Sequence, residues 1–114
     1  MTRVVVNSGV CGYTTKITAE KGKEKKIHLS LETECEMVKE MAEEIQVLDM
    51  MAVFTRFLEN PVYRSASKHL KHVTCPVPCG VLKAMEAEAG FAVPKDVSIT
   101  FMESRKISKS SEEE

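Results

Sequence analysis

An α+β fold is predicted for this chain, with an antiparallel sheet of three or four strands packed against three or four helices, and three observations lead to it. Apolar residues alternate singly along Tyr13–Glu20 and again through Ile27, Leu29 and Leu31. From Met37 onward they recur at spacings of three and four. Glycine and proline then bound the later segments, as they do where helices start and stop. A chain of 114 residues has one core, since folding at this size removes roughly two-thirds of the surface from water. Residues 1–103 are read as that domain, and 104–114, charged and serine-rich, as a disordered tail.

The elements follow in order. Residues 3–6, Arg-Val-Val-Val, form a short strand that runs into Asn7-Ser8-Gly9, a cluster that breaks regular structure. In the second strand Tyr13, Thr15, Ile17 and Ala19 share one face and Thr14, Lys16, Thr18 and Glu20 the other. Lys21-Gly22-Lys23-Glu24 is a turn, so the second and third strands make a hairpin. At Thr33 the period changes: Met37, Val38, Met41, Ala42, Ile45 and Leu48 draw a helical stripe, and Thr33 with Glu36 fits a capping box. Asp49 can cap a second helix bearing Met51, Val53, Phe54, Phe57 and Leu58, which ends near Asn60 because Pro61 lacks an amide hydrogen. Residues 62–72 carry a weaker helical pattern. Pro78 and Gly90 frame a helix over 78–89, and Val97, Ile99 and Phe101 alternate with Ser98 and Thr100 as a last strand.

Composition narrows the function. A formal charge of -1 provides no field to gather a phosphate backbone, and six Phe and Tyr without Trp give few rings for base stacking, so nucleic acid is not the expected partner. No run of about eighteen apolar residues exists, and the apolar stretch in MTRVVVNSG is too short for a secretory signal, so no membrane span and a cytoplasmic location are expected. No Ser-His-Asp order, phosphate loop or metalloprotease helix is present. The methionines on the helical stripes are core.

The four cysteines need a different explanation, because a cytosolic chain keeps them reduced. Cys35 follows Thr33 by two and Cys79 directly follows Pro78, which places both in the first turn of a helix, where free amides and the dipole favour thiolate. Cys11 stands between Gly9 and Gly12, which let the backbone turn amides toward sulfur and let a bulky ligand approach. Cys75 is held by Pro76 before the same helix as Cys79. One free cysteine is ordinarily a small core hydrophobe. Four at junctions between loops and elements point to a shared metal or cluster site with Cys11, Cys35, Cys75 and Cys79 as ligands. Among the imidazoles, His28 lies on the polar face of its strand, while His69 and His72 are three apart, and His72 is the candidate additional ligand near Cys75.

At these residues the chain resembles the iron–sulfur cluster scaffold family, the IscU proteins and the N-terminal domain of NifU. Cys11-Gly12 precedes the strand YTTKITAE, Cys35 follows the strand KIHLSLET, and Cys75 precedes the helix GVLKAMEAE. The resemblance implies three antiparallel strands followed by helices, a cluster as cofactor, and a sulfur donor or an apo-acceptor protein as partner. Where the family carries an aspartate two residues after its first cysteine, Tyr13 stands here, and where it carries a histidine before its third, Thr74 stands here. With Cys79 as an added thiol, these differences imply a cluster held more stably than one made for handover.

Three functions are open to the sequence: an iron–sulfur binding protein that assembles, carries or senses a cluster, an interaction module with a structural zinc on the same cysteines, and a thiol or sulfur-transfer protein in which Cys79 reacts and Cys75 resolves. The first is preferred, which makes the protein a binder rather than an enzyme. The sequence leaves its oligomeric state open.

Overall fold

A computed structural model describes residues 1–103. Strands β1 (Thr2–Asn7), β2 (Thr14–Lys21), β3 (Lys26–Glu32) and β4 (Val47–Asp49) form one antiparallel sheet in the order β1-β2-β3-β4. Helices α1 (Glu36–Glu44), α2 (Pro61–His69) and α3 (Val77–Glu88) join it, together with a 3-10 segment at Met50–Phe54. The class is α+β, with four antiparallel strands and three α-helices among the described residues.

The period-two pattern is the reason β2 and β3 bury one face. Thr15, Ile17, Ala19, Ile27 and Leu29 are buried, and the register sets Ala19 opposite Leu29 and Ile17 opposite Leu31. The helices close that face with Val38 and Met41 from α1, Val62 from α2, and Val77, Val81, Ala84 and Met85 from α3. Gly80 lets α3 settle on the sheet: a Cβ there would stand 2.5 Å from Val6 Cγ2. At the other end of α3, the Glu88 carboxylate accepts from the Lys21 N–H (2.9 Å) and the Thr2 hydroxyl (2.7 Å), which fastens the helix to the ends of β2 and β1.

Four expectations are corrected. The capping box does not form, because the Thr33 hydroxyl accepts from the Cys35 N–H (3.1 Å) and from Thr15 Oγ1 (3.0 Å), and Cys35 itself becomes the N-cap of α1. The first helix stops at Glu44, and Leu48 pairs opposite Ile27 in β4, since the free edge of β3 takes up the last apolar residues of the stripe. Asp49 does cap, accepting from Met51 N–H at 2.8 Å, but the helix it starts is only the 3-10 segment, with Phe57 and Leu58 exposed. Buried Asn60 is the cause: its amide donates to the carbonyls of Ala52 (2.8 Å) and Thr55 (2.9 Å), and its oxygen accepts from Val62 N–H (3.0 Å). That side chain folds the loop back and starts α2, so Pro61 opens a helix rather than merely closing one, and the weak 62–72 pattern is a regular helix to His69.

The fourth correction is the last strand. Gly90, at φ 83°, ends α3 as expected, and Phe91 then packs on Phe54 with ring centroids 4.9 Å apart. Among the described residues 97–101 belong to no strand, and Val97, Ile99 and Phe101 are exposed. Alternation gives a segment the capacity to pair, whereas pairing also needs a neighbouring edge. The tail reading for 104–114 lies outside the described residues. Within 1–103 no helix is long and apolar enough to cross a membrane.

Candidate functional site

Three of the four cysteines are brought to one end of the sheet. Cys11 is exposed on the loop between β1 and β2, a turn closed by Gly12 N–H to Gly9 O (2.8 Å) and Ser8 N–H to Tyr13 O (3.1 Å). Gly9 (φ 86°) and Gly12 (φ 78°) both take left-handed backbone, which fits the requirement read from the sequence. Cys35 is buried at the start of α1, held by Thr33 as described. It is the cap itself rather than a residue within the first turn, which corrects its placement. Cys75 is half-buried just ahead of α3, with its N–H on the His72 carbonyl at 3.1 Å.

The electrostatics of Cys75 tie the three together. Burial pushes its thiol above the ordinary value, the backbone N–H of Val77 opposes that by donating toward the sulfur, and negative charge on Cys35 and on Cys11 raises it further. Each of those sulfurs is therefore near enough to act on Cys75. Burial is the largest of these influences and outweighs the Val77 hydrogen bond.

Cys79 faces a neighbouring hollow. It is exposed on the first turn of α3 and borders a hollow of about 250 Å³ walled by Val53, Arg56, Phe57, Tyr63 and Leu82. Cys75 borders a different hollow of about 270 Å³ with Tyr63, Leu70, His72 and Pro78. Tyr63 faces both, and its phenol is pushed up by burial and by Cys79. Of the four sulfurs expected to converge, Cys11 and Cys35 act on Cys75, and Cys79 borders the neighbouring hollow that shares Tyr63. The helix begins at Val77, one residue before the expected Pro78, and its first turn directs Cys79 toward the 53–60 loop. Among the described residues no group of three or more His, Cys, Asp or Glu side chains is arranged to hold a single metal ion.

Of the imidazoles, His72 borders the hollow that Cys75 also lines. His28 is exposed on β3 opposite Glu20 and Val47. His69 belongs to a joint between helices: its Nε2 is 3.3 Å from Glu44 Oε2 and its Nδ1 3.6 Å from Glu40 Oε1. Ser65 Oγ donates to Glu44 Oε1 at 2.8 Å, and these hydrogen bonds hold the Glu44 carboxyl below its ordinary range. This cluster went unread in the sequence. Its signal was the spacing of Ser65 and His69, four apart, which becomes visible only once α2 is assigned as a regular helix.

The model of a family described as a family of unknown function, DUF6951, matches residues 2–101. No curated protein and no solved structure matches the chain.

Proposed function

The chain belongs to the DUF6951 family, and we propose that it is a small cytoplasmic protein that holds an iron–sulfur cluster through Cys11, Cys35 and Cys75, to assemble, carry or sense it. The observation that carries this reading is the placement of the three thiols at the β1–β2 loop, the N-cap of α1 and the approach to α3, with Cys11 and Cys35 acting on Cys75. Soft thiolates are the donors that iron–sulfur clusters take. The Val77 N–H supplies a hydrogen bond to a ligating sulfur, and the glycine-flanked Cys11 loop leaves the third donor accessible. The likeness to the scaffold family points to the same three positions, with a sulfur donor or an apo-acceptor as partner.

His72, which borders the Cys75 hollow, is the candidate fourth ligand in place of Cys79. A bound cluster would supply one-electron redox capacity. The protein's part is to present three sulfurs and release their protons. Because Cys75 holds its proton more tightly than an ordinary thiol, loading weakens as pH falls.

Anaerobic reconstitution of cysteine variants with ferrous iron and sulfide tests the ligand set. Cys11→Ala, Cys35→Ser and Cys75→Ala should each lose most of the bound iron, while Cys79→Ala keeps it, with circular dichroism confirming that each variant is folded. Equal iron content in all four variants would refute the assignment.

A further inference from the structure

We infer that two copies of this chain associate by exchanging strands, with residues 97–101 of each adding to the free outer edge of β1 in the other. The sheet order leaves β1 and β4 at the edges, and β4 offers only Val47–Asp49, whereas β1 offers six residues. An open edge presents unpaired N–H and C=O groups that accept another strand.

The segment beyond α3 has the matching character. Val97, Ile99 and Phe101 are 65%, 87% and 71% exposed, and they alternate with Ser98 and Thr100. Such a β-branched and aromatic alternation fits a half-buried strand and is poorly matched to water. Set antiparallel to β1, Val97 would face Val6, Ile99 would face Val4 and Phe101 would face Thr2. These β1 residues are the ones turned toward the core, with Val6 buried and Val4 packed against it. Ser98 and Thr100 would then lie beside the exposed Val5 and Arg3. A slip of one residue would turn Ile99 to water, so the pairing specifies its own register.

A second copy supplies the edge better than the same chain does. The end of α3 lies beside β1, where Glu88 accepts from the Thr2 hydroxyl, yet among the described residues 97–101 of the same chain belong to no strand and stand exposed, so the edge is left to a second copy. Each copy contributes one segment and one edge, so mutual exchange gives a closed twofold dimer. None of the grouped cysteines takes part, so this inference stands independently of the cluster.

The test is the mass of the full chain by size-exclusion chromatography with light scattering, in reductant, over a range of concentrations. A mass of two chains is expected. Ile99→Pro removes a strand N–H at an exposed position outside every element, so it should give a folded protein of one chain's mass. Hydrogen exchange should show the 97–101 amides protected in the parent and released in Ile99→Pro. A single-chain mass at every concentration overturns the proposal, including the case in which 97–101 is protected by pairing within its own chain. So does a dimer that survives Ile99→Pro.

Discussion

Burial and two neighbouring sulfurs hold the Cys75 proton on, while the Val77 N–H draws it off. That balance can be measured. In metal-free protein, alkylation of Cys75 should continue to gain rate above pH 9.0, its ordinary value. Cys35→Ser and Cys11→Ser should each move that midpoint down by removing a negative neighbour, and Cys79→Ser should leave it in place. Access alone orders the others: exposed Cys11 and Cys79 should label fast and buried Cys35 slowly. At the same scale, Glu44 and Glu88 sit below their ordinary value of 4.5, Glu44 through Ser65 and His69, Glu88 through Lys21 N–H and Thr2. A carboxylate with a lowered folded-state value stabilises the fold at neutral pH, and this contribution is lost as pH falls below 4.5 through the folded value. Denaturant midpoints should therefore fall across that window, and Glu44→Gln with Glu88→Gln together should flatten the slope.

Among the elements, α3 matters most to the site because Cys75 immediately precedes it, and Gly80 sets its depth. Gly80→Ala adds helix propensity but drives a methyl into Val6, with a net loss of about 1–2 kcal/mol expected in chemical denaturation. Asn60→Ala frees two loop carbonyls and uncaps α2, and should cost about 2–3 kcal/mol. The hairpin was legible because a period of two is unambiguous over eight residues of β2. The frame of α3 was legible because Pro78 and Gly90 each have one strong positional meaning. Strand β4 was hidden because its three residues continue a helical stripe, and only the edge of β3 makes them a strand. The 50–60 segment misled because Met51, Val53, Phe54, Phe57 and Leu58 have helical spacing. What breaks that helix is the side chain of Asn60 reaching back across the loop, a contact that spacing does not encode.

For the molecule as a whole, the β1–β2 loop and the starts of α1 and α3 meet at one end of the sheet, and that meeting brings in the cysteines at positions 11, 35 and 75. Their placement at element junctions was readable from glycine, threonine and proline neighbours. The direction of Cys79 was not, since it depends on the hollow formed with the 53–60 loop, the segment whose path Asn60 decides. A shared cluster site also predicts a shared fate. Loading the three thiols should raise the thermal midpoint of the whole domain, because a ligand that binds only the folded state stabilises it by mass action. The most direct test is an absorption spectrum of the anaerobically purified full chain, taken with iron, zinc and acid-labile sulfide analysis. We expect visible sulfur-to-iron charge-transfer bands with iron and sulfide in matching amounts. A colourless protein carrying zinc, or carrying no metal even after reconstitution, would contradict the cluster assignment.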